Sequence, residues 1–183
     1  LVALTAPVLD LKLGFPDQGN MPEERTSRQA YDLLAQGFGP GFSGPLLVAV
    51  DTSNVSDQEL RSLAVALQKD TGVAFVQPPE RSPVGEAATI LVFPTTAPQD
   101  PQTVDLLERI RGPIFSSVLA DGSKAHVGGA TASFADVSDR VQSRLPIFIT
   151  GVIALSFILL MLVFRSILVP IKAALLNLLS IGA

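Results

Sequence analysis

Twenty residues from Leu145 to Phe164, LPIFITGVIALSFILLMLVF, pass without one charge, fenced by Arg144 and Arg165. At about 1.5 Å rise per residue a helix of that length spans about 30 Å, the thickness of the hydrocarbon core of a bilayer. Fourteen of the twenty are Leu, Ile, Phe or Val, and near a helix centre such side chains sum to roughly −4 to −8 kcal/mol of insertion free energy. Thr150, Ser156 and Pro146 do not offset that. A core helix of a soluble protein is normally shorter and carries a polar stripe, and a signal peptide stands at the N-terminus. The segment therefore reads as a membrane span. After Arg165-Ser166 the chain is apolar again to Ala183 apart from Lys172 and Asn177. Pro170 suits the first turn of a helix and Lys172 can snorkel to the interface, so a second span is expected to begin there. Leu1 to Leu4 is compatible with the exit of an earlier span, and the whole reads as a fragment of a longer membrane protein.

Charge divides the chain the same way. All seventeen acidic residues lie at or before Asp139 and eleven of the thirteen basic ones at or before Arg144. A mildly acidic leading part with no basic stripe argues against nucleic acid as a partner. Without cysteine there is no disulfide framework and no thiolate metal site. Orientation is undecided by charge, because Arg140 and Arg144 flank one end of the span while Arg165 and Lys172 flank the other.

The leading part alternates helix and strand signals. Thr26-Ser27-Arg28-Gln29 has the capping-box pattern, with Tyr31, Leu34 and Phe38 following at helical spacing, which predicts a helix over Ser27 to Gln36 ended by Gly37. GFGPGFSGP, Gly37 to Pro45, is loop chemistry, and Leu46 to Val50 is a buried-strand run. Ser56-Asp57-Gln58-Glu59 opens a second helix with Leu60, Leu63, Ala64 and Leu67 on one face. Val73 to Val76 and Ala88 to Phe93 are predicted strands on either side of the turn QPPERSPVGE. Asp100-Pro101 starts another helix with Val104, Leu107 and Ile110 inward, and Gly112-Pro113 must kink or break it. Ala125 to Gly128 is a fourth strand, and from Ala130 the chain is helical into the span. The order is βαββαβ, the ferredoxin-like split βαβ. The expected class is α+β, a ferredoxin-like domain joined to transmembrane helices. Its parts are a lead-in over 1–45, the βαββαβ core over 46–129, a linking helix and span over 130–164, and a turn with the start of the next helix over 165–183.

Candidate chemistry is sparse. His126 is the only histidine and stands in a short strand, where a satisfied strand residue is the ordinary reading. Gly37, Gly39 and Gly41 precede a strand rather than a helix, so neither the dinucleotide nor the P-loop context is met. Gly128-Gly129 precedes a helix but lacks the Lys or acidic partner of an anion site, and reads as a tight turn aiming the helix at the membrane. Ser43, Ser117 and Ser133 lack a nucleophile elbow. No enzyme chemistry, cofactor or metal is predicted. Asp136, Asp139, Arg140 and Arg144 punctuate the helix just before the span. Asp136 and Arg140 stand four apart, as do Arg140 and Arg144, so a surface ion pair is the plain expectation. The functional alternative is that Asp136, Arg140 and Arg144 link motion of the outer domain to the helix beneath it.

Three runs carry a resemblance: QAYDLLAQGFGPGFSGPLLV (Gln29 to Val48), VGGATASFADVSDRVQSRLPIFI (Val127 to Ile149) and FRSILVPIKAALLNLLSIGA (Phe164 to Ala183). In order and spacing they resemble the actinobacterial MMPL transporters of the resistance-nodulation-division superfamily. The resemblance implies a porter subdomain outside the cell membrane between the first and second transmembrane helices, then the second helix and part of the third, in a multi-pass protein of the plasma membrane with residues before about 145 extracytoplasmic. It implies proton-driven export of lipids or other hydrophobic cargo, with the bilayer as partner and homo-oligomers or other envelope proteins left open. The family's proton relay is an Asp-Tyr pair in the fourth transmembrane helix, and no residue here matches it; no Asp, Glu or His follows Asp139. Asn177 is suited to helix-to-helix hydrogen bonding. Two other readings stand beside this one: a protein-export or sterol-sensing relative in the same superfamily, and a membrane-anchored binding or sensor module.

Overall fold

The computed structural model describes residues 17–120, 122–165, 171–173 and 175–176. The opening Leu1 to Leu4, the alternating Val8 to Leu13, and most of the second apolar run, including Pro170 and Asn177, lie outside them; within that run 171–173 and 175–176 are helical. One compact unit comprises Phe15–Asp136, and Val137 begins the part of the long helix that belongs to the other.

The elements are α1 (Thr26–Phe38), β1 (Leu46–Asp51), α2 (Asp57–Gln68), β2 (Val73–Val76), β3 (Glu80–Arg81), β4 (Ala87–Pro94), α3 (Pro101–Arg109), a π-turn (Ile110–Ile114), α4 (Phe115–Val118), β5 (Ala125–Gly128) and α5 (Ala130–Phe164). All sheet pairings are antiparallel, in the order β2-β4-β1-β5, with the two-residue β3 beside β4. Each crossover, β1-α2-β2 and β4-α3-β5, jumps one strand, so the two halves interleave. Among the described residues this makes a mixed α/β unit on an antiparallel sheet, followed by a long apolar helix.

Period-two alternation explains which sheet face is buried. Leu46, Val48 and Val50 of β1 and Ile90 and Val92 of β4 are sealed against Leu60, Leu63 and Leu67 of α2 and Leu106 and Leu107 of α3. Register brings Val48 opposite Ile90 on one side and Val127 on the other. Each such side chain, fully buried, contributes about 1.5–3 kcal/mol. The capping box of α2 forms as the sequence predicts: Glu59 N–H donates to Ser56 Oγ at 3.2 Å and Ser56 N–H to Glu59 Oε2 at 2.8 Å.

Three local expectations are corrected. Thr26 does not cap α1; it lies inside the helix, Arg25 occupies the cap without a side-chain bond, and Gln29 Nε2 donates to Glu23 O at 3.4 Å. The turn closed by Arg25 N–H on Pro22 O starts the helix earlier than the sequence pattern. Gly37 does not end α1; Gly39 does, because its φ of +97° carries the chain out of the helix. No residue of α1 is buried, and Phe38 is 66% exposed, so its apolar face is not a core face. In α3 the inward positions are Thr103, Leu106 and Leu107, whereas Val104 is 39% exposed. Thr103 can go inside because its hydroxyl donates to Ala97 O at 2.7 Å, which satisfies the buried polar group.

The Gly/Pro run ahead of β1 is a short 3-10 turn, Pro40–Ser43, laid against the end of β4. A Cβ on Gly41 would stand 2.0 Å from Pro94 O, whereas one on Gly37 would meet nothing within 4 Å. Gly41→Ala is therefore expected to lower unfolding stability by about 1–3 kcal/mol, as overpacking does. Gly37→Ala, in the last turn of α1 with open space around it, should raise it by at most about 0.5 kcal/mol. Urea midpoints of the two variants check the contrast; equal midpoints would show that the turn yields freely.

Candidate functional site

The corner where β5 turns into α5 gathers the side chains that fix the start of the long helix. Gly129 makes the turn with φ +98°, and a Cβ there would stand 3.0 Å from Pro45 O. Thr131 and Ala132, in the first turn of α5, are buried, and Thr131 Oγ1 donates to Gly44 O at 3.1 Å. Gly44 is what allows that approach: a Cβ there would lie 2.3 Å from Pro98 Cγ and 2.6 Å from Thr131 Oγ1.

A second anchor comes from Arg111 in the π-turn. Its Nη1 donates to Asp136 Oδ1 at 2.5 Å, and its Nη2 donates to Asp136 Oδ2 at 2.9 Å and to Val127 O at 3.1 Å. The two bonds to Asp136 hold the guanidinium pKa above its ordinary value against the opposing effect of partial burial, with the charges of Asp136 and Glu108 acting in the same direction. The Gly112-Pro113 pair neither breaks nor simply kinks the chain. Phe115 N–H reaches back to Ile110 O, five residues away, and the helix continues through a π-turn.

Of the sequence-predicted residues, Asp136 is engaged by Arg111, from another element, which the four-residue spacing with Arg140 did not anticipate. Asp139, Arg140 and Arg144 are exposed on α5, and Ser143 Oγ donates to Arg140 O at 3.1 Å. The structure thus brings Asp136 into a contact and leaves Arg140 and Arg144 at four-residue steps along the helix. Arg111 was missed because Arg111-Gly112-Pro113 reads as a helix breaker. The only signal was a basic residue placed just before that break. His126 is exposed on β5 opposite Ala49, and among the described residues no cluster of His, Asp or Glu is placed to hold a metal.

Nearby, Arg109 at the end of α3 clamps the loop before β2. Its Nε donates to Asp70 Oδ2 and its Nη2 to Asp70 Oδ1, both at 2.8 Å, while Gly72 N–H donates to Asp70 Oδ1 at 2.8 Å. These bonds, Arg109 first, hold the Asp70 carboxyl below the ordinary range, against the raising effect of its burial.

The apolar part of α5 is exposed along its length, with Phe148, Leu155, Leu162 and Val163 each more than half open, and the helix is long and apolar enough to cross a membrane. A folded α/β unit whose last strand feeds such a helix defines a membrane protein. The sequence model of the MMPL family matches residues 21–183, and the chain belongs to that family. It is 38% identical over 178 residues to membrane protein YdfJ of Bacillus subtilis, an alignment covering 94% of this chain and 24% of YdfJ. It is 26% identical over 190 residues to the mycolic acid-containing lipids exporter MmpL11 of Mycolicibacterium smegmatis, covering 100% of this chain and 20% of that protein. It is 26% identical over 189 residues to the heme uptake protein MmpL11 of Mycobacterium tuberculosis, covering 100% and 19%. The chain thus spans about a quarter or less of the length of these curated relatives.

Asp70 gives a pH prediction. A carboxyl whose pKa is lower in the folded than in the unfolded state stabilises the fold above its unfolded value of 3.8, and that stability is lost as pH falls through the folded value. With Arg109 40% exposed at the side chain, the pair is discounted for solvent. Asp70→Asn should cost about 1 kcal/mol at pH 7. It should also flatten the fall in melting temperature below pH 4; an unchanged acid limb would remove this pair from the stability of the α/β unit.

Proposed function

We propose that this chain is a ferredoxin-like porter subdomain and adjoining helices of a proton-driven membrane exporter of lipids or other hydrophobic molecules. Family membership supports the transporter class, and the interleaved strand order β2-β4-β1-β5 supports the ferredoxin-like subdomain over 46–129. On this reading 130–164 is the linking helix and span, 165–183 begins the next helix, and residues before about 145 are extracytoplasmic in a multi-pass protein.

The observation that carries hydrophobic cargo is an aromatic ladder on the sheet face turned away from α2 and α3. Phe38, Phe42, Phe93 and Phe75 follow one another with ring centroids 4.6, 5.3 and 6.1 Å apart. Phe75 remains 54% exposed. Leu47 and Leu91, paired across β1 and β4, share that face. Phenyl rings in a row, exposed at the two ends and half-buried between, give a long acyl or polycyclic molecule a surface to lie against, and exposed apolar patches mark interaction sites. The name of the M. smegmatis relative, an exporter of mycolic acid-containing lipids, agrees with this cargo class. Proton coupling falls outside the charge-free span of α5, because no Asp, Glu or His follows Asp139 in this sequence.

Reconstituted in liposomes, the full-length protein should move a fluorescent long-chain lipid in response to a pH gradient. Phe75→Ser should cut that rate about threefold to tenfold, the loss expected for one aromatic contact of about 0.5–1.5 kcal/mol. Because Phe75 is half-exposed, protein level should be unaffected. Movement of heme in place of lipid, in the sense of the M. tuberculosis relative's name, would replace the cargo assignment. Asp136→Asn and Arg144→Gln test Asp136, Arg140 and Arg144 as the link between the outer domain and the helix. Export should fall severalfold at equal protein level; unchanged export removes that role.

A further inference from the structure

The two residues that make the corner between β5 and α5 carry no side chain to set its angle. Gly128 and Gly129 make the turn, and Gly129 has the positive φ that lets the chain reverse. Two side chains hold the corner, one in the first turn of α5 and one in the π-turn. Thr131 ties the first turn to the segment before β1. Arg111 holds both sides of the corner at once, the carbonyl of Val127 before it and the carboxylate of Asp136 after it.

Core packing, and not these bonds, places Arg111. Ile110 is fully buried and Phe115 nearly so, one at the first residue of the π-turn and the other just past its end. The turn is held between them. A guanidinium has donors in a fixed planar fork, so it can bridge a carboxylate with two bonds while a further N–H reaches a carbonyl; an ammonium is a single point that cannot span the same three oxygens.

We propose that Arg111 is a positioning residue: through its guanidinium the π-turn fixes the strand-to-helix corner and the first turns of α5. The consequence for transport rests on the exporter reading above, whereas the anchoring does not.

Amide hydrogen exchange on the full-length protein in lipid nanodiscs separates the two. In Arg111→Gln, exchange over Val127 to Asp136 should rise about tenfold, with the core of β1 as protected as in the parent. Arg111→Lys should behave like Arg111→Gln, since restoring the charge does not restore the fork. Should Arg111→Gln fail to fold, Asp136→Asn, which leaves the Val127 bond in place, should raise exchange in the first two turns of α5 alone. Unchanged exchange at the corner in the variant that folds, or full rescue by lysine, overturns the proposal. Lipid movement measured on the same preparations should fall with Arg111→Gln. A loosened corner with undiminished transport supports the anchoring and instead sinks the coupling of Asp136 to export.

Discussion

The constraint on which the rest depends is that the twenty residues after Arg144 cannot be satisfied by water. In hydrocarbon every backbone N–H and C=O must be bonded within the chain, which leaves a continuous helix as the solution for a single segment of this composition. Pro146 is accepted there in the α5 ladder, and Thr150 Oγ1 donates to Pro146 O at 2.8 Å. The charge-free part of α5 offers no side chain that ties the start of the helix to the strands before it. That task falls to the α/β unit, and the unit performs it through glycines that let backbone approach closely and through two side chains that reach across the corner.

The unit itself is held by a one-sided sheet. Its buried face is dry and apolar, and the stability of that face comes from the leucines of α2 and α3 seated on β1 and β4. The other face keeps half-buried leucine and partly exposed phenylalanine that lie outside the core. A sheet so built can be stable and still present apolar surface, because the two faces of a strand are independent under period-two alternation.

Much of the local structure was legible. Four of the five strands came out within one residue of their sequence-predicted limits because apolar runs between turn residues leave little choice, whereas the two-residue β3, Glu80–Arg81, lies in the run read as a turn. Ser56 and Glu59 cap α2 as their spacing requires, since a capping box is a contact among four consecutive residues. The same pattern at Thr26 failed because the preceding turn at Pro22–Arg25 offered an earlier start, a competition that spacing does not contain. Thr103 displaced Val104 from the core because Ala97 O was there to receive its hydroxyl. Gly112-Pro113 was visible as a disturbance, but its resolution as a π-turn depended on Ile110 and Phe115 both finding places inside.

By itself the sequence determined the apolar helix, the order of strands and helices, and the charged residues that precede the span, because each follows from composition or from neighbours within a few positions. Only the tertiary structure decided which strands lie side by side, that the phenylalanines of α1, the 3-10 turn, β2 and β4 form one ladder, and that Asp136 meets Arg111, twenty-five residues earlier. Those outcomes depend on contacts between distant segments, and the geometry of such contacts is set when the core closes, not by local propensity.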